Sequence, residues 1–321
     1  QHRVQTTSET TEAITEYLSP IKNAFEIAMR KALPPRTAAL ALGLLLGDKL
    51  GFDREMKEEF RRSGTTHIVA LSGFNIMIIA GFIAGLLSWA PPLVNLIATI
   101  ILITLFVLMT GAEASAVRAA IMGGLLVIAN YSGRIYHMRN VITVTAAIML
   151  IQNPTLIVGS VGFQLSFFAL LGIVYIEPIL KEWVKTENKF VNTGLTTIAA
   201  QIGVLPILIN TFGSFSWSSI FANILIGATV PYAMLAAFVT GMIGILFGGV
   251  IATFVGLFAH YILTYELLII HIASKFGFIE GFARWNVPIL IIYYALLLFI
   301  VVTHYREQRK ELDHLLHKTY D

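Results

Sequence analysis

The side chains of this sequence that could do chemistry are few, and most stand inside long apolar runs. Arg118 is set in GAEASAVRAAIMGG. An arginine within a lipid-spanning helix costs about 2.5–3.5 kcal/mol on insertion scales, so it reads either as a functional cation or as a side chain snorkelling to nearby water. Ser115, three residues earlier, shares its helical face, whereas Glu113, five earlier, does not. Gln164 and Ser166 in VGFQLSFFALLG, Gln201 and Pro206 in AAQIGVLPIL, and Asn223 further on are polar or helix-disturbing positions of the same kind. Amides at such places bond neighbouring helices or touch a passing solute. Pro206 frees a carbonyl and invites a kink or a break, and breaks are where substrate paths form. His67, Ser72, Gly73 and Asn75 crowd one helix entry in HIVALSGFN, as a helix start facing protein or water would, or a capped and packed helix end. His260, Glu266 and His271 share a later apolar run. The two histidines, eleven residues apart, fall on one face and suit a proton relay or a wet interior equally well.

Other chemistries lack their residues. The sequence has no cysteine and no aspartate between Asp53 and Asp313. It therefore lacks the clustered carboxylates of a two-metal nuclease, and its histidines are not at zinc-ligand spacing. No GxxxxGK[ST] phosphate loop is present. The expectation is a chain with no enzymatic activity, no metal and no cofactor of its own.

The elements that must position these residues follow from charge and hydropathy. Hydrophobic residues make up 56% of the chain and charged ones 13%, about half the charged share of a soluble globular protein. Residues 66–304 hold 14 charged side chains in 239 positions, and the flanks hold the other 27 in 82. That excludes a soluble enzyme and predicts an all-α, polytopic transmembrane helical bundle. Apolar runs place about nine spans, near 66–89, 92–110, 114–130, 140–153, 160–180, 193–211, 219–246, 250–274 and 286–304, the fourth short for a full crossing. Residues 1–19 read as a polar, flexible lead-in to a chain that begins with Gln1, as a piece of a longer protein would. Residues 20–65 read as amphipathic and interfacial helices on the outer side. Within them, Ser19-Pro20 opens one helix, TAALALGLLLG (37–47) is too short to cross, and DREMKEEFRR (53–62) has an apolar stripe thin enough for a surface helix. Residues 305–321 form a basic tail.

One alternate set of loops, with the tail, carries nine Lys or Arg: Arg134, Arg139, Lys181, Lys185, Lys189, Arg306, Arg309, Lys310 and Lys318. The opposite set carries Lys275 and Arg284 alone. Positive-inside asymmetry puts the C-terminus in the cytoplasm and the N-terminal segment outside, despite ten Lys or Arg ahead of His67.

Five segments in series carry a family resemblance: LPPRTAALALGLLLGDKLGF (33–52), EEFRRSGTTHIVALSGFNI (58–76), GAEASAVRAAIM (111–122), NPTLIVGSVGFQLSFFALLGI (153–173) and QIGVLPILINTFGSFSWSSIFANILI (201–226). Their order and spacing resemble the competence domain of ComEC-type DNA uptake channels of naturally transformable bacteria, with residues 66–304 as the transmembrane part. The resemblance implies passage of single-stranded DNA across the inner membrane during natural transformation. It also implies partnership with the lipid bilayer, with DNA-uptake machinery, and with OB-fold and metallo-β-lactamase-like nuclease domains on the full-length protein or on other chains. By position it carries over His67, Ser72 and Gly73 from the second segment and Arg118 from the third. Gln164 and Ser166 come from the fourth, and Pro206, Gly213 and Asn223 from the fifth. Phe74-Asn75 stands where Leu-His is common in the family, and Glu113-Ala114 where Ser-Pro is common, which puts an acid beside a route for polyanions.

Three functions are thus set against one another. The first is a DNA-conducting channel using the resemblance positions, with Lys49, Arg54, Lys57, Arg61 and Arg62 gathering DNA at the outer mouth. The second is a proton-coupled secondary transporter of a small solute or lipid, with His260, Glu266 and His271 as its titrating groups. The third is a non-conducting membrane scaffold in which the polar residues only pack helices.

Overall fold

The computed structural model describes residues 19–69, 73–282 and 284–320; the lead-in up to residue 18 and the candidate Ser72 lie outside them. In chain order the elements are α1 (19–32), α2 (Pro35–Leu46), α3 (Arg54–Ser63), α4 (Thr66–Val69), α5 (Gly73–Leu86), α6 (Pro92–Met109), α7 (Ala114–Tyr131) and α8 (Met138–Gln152). They continue with α9 (Leu156–Gly159), α10 (Val161–Leu171), a π-helical turn (Gly172–Ile176), α11 (Glu177–Val184) and α12 (Lys189–Phe212). Then follow β1 (Ser214–Ser216), α13 (Ser218–Gly227), α14 (Val230–Phe247), α15 (Gly249–Ser274), β2 (Phe278–Glu280) and α16 (Val287–Tyr320), with β1 and β2 paired as a two-stranded sheet. Among the described residues, seven helical stretches are long and apolar enough to cross a membrane: 92–109, 114–131, 161–184, 189–212, 230–247, 249–274 and 287–308. The protein is a helical, multi-pass membrane protein.

Within the predicted span at 66–89 the described helices are α4 and α5. The predicted span at 219–246 is divided into α13 and α14, interrupted at Ala228–Thr229. Gly227 closes the first of these helices and Pro231 lies in the first turn of the second, the usual places for these residues at a helix stop and start. The predicted fourth span, α8, has fifteen residues and is as short as its sequence suggests.

The chain divides into two compact units, one of residues 1–163 and 216–278, the other of 164–215 and 279–321. In the first, α2 is the centre. Pro35 occupies its first turn, and Gly47, with φ of 71°, ends it by returning its N–H to the Gly43 carbonyl. Every residue from Thr37 to Leu46 is buried, so this short apolar helix has protein on its sides. A Cβ at Gly43 would overlap Val69 and press on Phe52. Around α2 pack α1, α3, α14 and α15, with Phe25, Met29, Met56, Phe60, Met234, Leu263 and Ile270 in one continuous apolar core. A second cluster joins α5, α6 and α7 through Ile76, Ala80, Ile103, Val107, Ala116 and Ala119. Most of α3 is exposed. The Asp53 carboxylate accepts the Met56 N–H at 2.6 Å, and only Met56, Glu59, Phe60 and Ser63 turn inward.

In the second unit the long helix from α10 through α11 lies antiparallel to α12. A Cβ on Gly172 would overlap the Ala199 carbonyl oxygen, and one on Gly203 the Phe168 carbonyl oxygen. The glycines let two backbones meet where any side chain would separate them. Two other glycine pairs at four-residue spacing, Gly81 with Gly85 and Gly244 with Gly248, behave differently. Gly81 and Gly85 have open space where a Cβ would go, Gly244 abuts Ala28, and Gly248 ends α14 with φ of 86°.

Opposite responses to the same substitution are therefore expected. Gly203→Ala should destabilise the protein by about 1–3 kcal/mol through overpacking. Gly81→Ala should be neutral or stabilising by up to about 1 kcal/mol through helix propensity. Thermal unfolding in detergent micelles separates the two.

Candidate functional site

The polar residues expected near the first helix entry gather in the first unit, and their partners are distant in sequence. Gly64 ends α3 in a left-handed turn (φ of 70°), and the turn sits so close to α13 that a Cβ there would press on Ser216 and Ser219. That docking brings α4 beside α13. His67 Nδ1 lies 3.1 Å from the Gly64 carbonyl oxygen, and its ring also hydrogen-bonds the Asn223 side chain. His67 is itself exposed and Asn223 is half-buried. Hydroxyl pairs lie on the same segments. Ser63 and Thr65 share a 2.6 Å hydrogen bond, Ser216 and Ser218 share one at 2.9 Å, and Ser218 donates to the Ala273 carbonyl at 2.8 Å.

Asn75 does something else. It is 1% exposed, and its amide donates to the Leu44 carbonyl at 3.0 Å and the Ile68 carbonyl at 3.5 Å. Leu44 belongs to the last turn of α2, whose carbonyls have no helical partner. Asn75 therefore closes the end of α2 and ties it to α4 and α5, which is the packed-helix-end reading.

Arg118 is 7% exposed, four residues into α7. Its side chain is enclosed by protein, which removes the reading in which it snorkels to water. Glu113 is exposed at the start of α7, where a carboxylate suits the positive end of the helix dipole. The relay imagined through α15 is not assembled. His271 pairs with Glu59 at 2.5 Å, His260 faces Thr37 at 3.3 Å, and Glu266 meets Thr229 at 2.9 Å. About 16 Å of helix separates the two histidines.

Glu59 is the residue that sequence reasoning missed. It is 8% exposed, with Arg36 on one oxygen at 2.7 Å and His271 on the other. It ties α2, α3 and α15 together. The signal was present, since Glu59 shares the inward face with Met56, Phe60 and Ser63 at helical spacing. The cations expected to gather DNA on α3 are partly committed. Arg61 makes a two-pronged bond to Glu58 at 2.7 and 2.8 Å, which holds the Glu58 carboxyl below its ordinary pKa. Arg61 and Arg62 also stack over the Phe278 ring.

Gln164, Ser166, Gln201 and Pro206 all belong to the second unit, on α10 and α12. The contacts of Gly172 with Ala199 and of Gly203 with Phe168 fix the register. By that register Gln164 and Ser166 lie level with Pro206, and Gln201 lies more than a turn away. Pro206 does not break its helix. The carbonyl it deprives of a partner is that of Ile202, four residues earlier, and the Tyr293 hydroxyl of α16 donates to that oxygen at 2.8 Å. The structure thus groups His67 with Asn223 in one unit and Gln164 and Ser166 with Pro206 in the other. Asn75 and Pro206 are engaged in packing. Among the described residues, no three His, Asp or Glu side chains group as metal ligands would.

Fold and site together define a polytopic helical membrane protein with uncharged polar groups set into its helices. The chain belongs to the Competence protein family, which it matches over residues 44–307. It is 27% identical over 214 residues to ComE operon protein 3 of Bacillus subtilis (strain 168), an alignment covering 66% of this chain and 27% of that protein. It is 24% identical over 225 residues to the Uncharacterized protein YcaI of Escherichia coli (strain K12), covering 64% of this chain and 29% of that protein. The chain spans less than a third of the length of either relative. No solved structure matches it.

Asn75→Ala is expected to cost about 1–3 kcal/mol, because a buried helix-end carbonyl loses its donor. His67→Ala, at an exposed position, should leave the unfolding temperature nearly unchanged. Melting of both variants in micelles checks the assignment of Asn75 to packing.

Proposed function

We propose that this chain forms the membrane-embedded path by which single-stranded DNA enters the cytoplasm during natural transformation. The N-terminal segment lies outside and the C-terminus in the cytoplasm. The observation that carries the reading is the Competence family match over residues 44–307, which takes in six of the seven membrane-length helices completely and all but the last residue of the seventh. The nine-to-two bias of Lys and Arg between alternate loops supports the orientation. The chain itself breaks no bond in this reading. Degradation of one strand and capture of DNA outside the membrane belong to nuclease-like and OB-fold domains, on the full-length protein or on partner chains of the uptake machinery.

The chemistry of a polyanion path is compatible with what the helices carry. Phosphates can be met by fixed dipoles as well as by cations, and His67 and Asn223 offer a hydrogen-bonded imidazole and amide. Arg118 lies one turn inside a membrane-length helix, and its burial makes its field stronger than at a surface.

Deletion of the gene, with labelled DNA followed by fractionation, tests the reading. DNA should still become nuclease-protected at the envelope and fail to reach the cytoplasm. Normal cytoplasmic delivery would overturn it. Arg118→Ala should lower transformation at least tenfold at unchanged protein level, with partial recovery in Arg118→Lys. Unchanged transformation in Arg118→Ala would remove Arg118 from the path.

A further inference from the structure

Glu266 lies in the second half of α15 and is 1% exposed. Among the described residues its carboxyl has one hydrogen-bonding neighbour, the Thr229 hydroxyl, 2.9 Å from Oε1, and Oε2 has none. Thr229 stands in the break between α13 and α14. The same hydroxyl is also 2.9 Å from the Ile226 carbonyl oxygen.

A hydroxyl has one proton and can donate to one oxygen at a time. If Glu266 were ionised, that proton would serve the carboxylate, and the approach of Thr229 to Ile226 would be two oxygens with no hydrogen between them. The charge would also be buried with one hydrogen bond and no cation, the costliest state for a carboxylate. If Oε1 carries the proton, both contacts are hydrogen bonds. The acid donates to Thr229 Oγ1, and Thr229 donates to the Ile226 carbonyl. Oε2 is then a neutral carbonyl oxygen, for which isolation is tolerable.

The elements packed against α15 offer no cation to change this. Arg36 of α2 and Glu59 of α3 are bonded to each other, and Glu59 also to His271. The other charged residues of α3 are exposed. Lys22 and Glu26 of α1 pair with each other, and Arg30 and Lys31 are exposed. Tyr232 of α14 and Tyr261 and Tyr265 of α15 are exposed, His260 is bonded to Thr37, and α13 has no titratable residue.

We propose that Glu266 and Thr229 form a proton-binding site at the break between α13 and α14. The ligand is a single proton, held on a neutral carboxylic acid inside the helical core. Its removal would redirect the Thr229 hydroxyl and undo its bond to the last turn of α13.

The test is infrared difference spectroscopy of the full chain in lipid vesicles at neutral pH, comparing wild type, Glu266→Gln and Thr229→Val. The wild type should show the carbonyl stretch of one protonated carboxyl group that Glu266→Gln lacks. In Thr229→Val that stretch should move to higher frequency, because the acid has lost its acceptor. Loss of carboxylate bands instead, on Glu266→Gln, would overturn the proposal. If Glu266→Gln fails to fold, Thr229→Val against wild type decides: a shifted acid band supports the site, and an unmoved one overturns it. The readout is independent of DNA transport, so its failure is distinct from failure of the channel reading.

Discussion

A polar group carried into an apolar bundle has to be answered from within the protein, since lipid offers it no hydrogen bond. The Ile202 carbonyl oxygen shows how far this reaches. Pro206 removes its helical donor, and the answer comes from the hydroxyl of Tyr293, 91 residues further along the chain. Asn75 answers the last carbonyls of α2, and Glu59 answers Arg36 and His271 at once. Each such pairing fixes which helices are neighbours more sharply than apolar contact does. Apolar surface packs against any apolar surface, whereas an amide must find its own carbonyl.

The same constraint explains the short helices. Ten to fifteen apolar residues do not cross a bilayer, yet α2, α8 and α13 have such lengths. For α2 the surroundings are protein on every buried residue from Thr37 to Leu46. Its ends are closed by Gly47 and Asn75. A helix so enclosed needs neither amphipathicity nor membrane length, because neighbouring helices take the place of lipid.

Much of the architecture was legible because hydropathy and helix punctuation are local. The helical class, the apolar runs, the thin inward stripe of α3 and the shortness of α8 all follow from neighbours within a few turns. The division at Ala228–Thr229 has local signals in Gly227 and Pro231, set within an apolar run that continues on both sides. Pairings such as His67 with Asn223 were not legible, since 156 residues separate them and both have several chemically suitable partners. For Pro206 the local rule was right about the freed carbonyl. It was wrong about the break, because the compensating hydroxyl sits on another helix. The role of Glu59 is hard to read because α3 carries many charges, although its position on the inward face sets it apart.

The junction of α12 and α16 has a mechanical consequence. Tyr293 and Tyr294 donate to the successive carbonyls of Ile202 and Gly203, and Asn210 pairs with both backbone groups of Trp285. Bonds at two separated levels stop α16 from rotating about its own axis or sliding along α12 by a fraction of a residue. The two helices can therefore transmit a push along their length as one rod. Motion in this unit would be a displacement of the pair, and its energy would be governed by what the pair slides against.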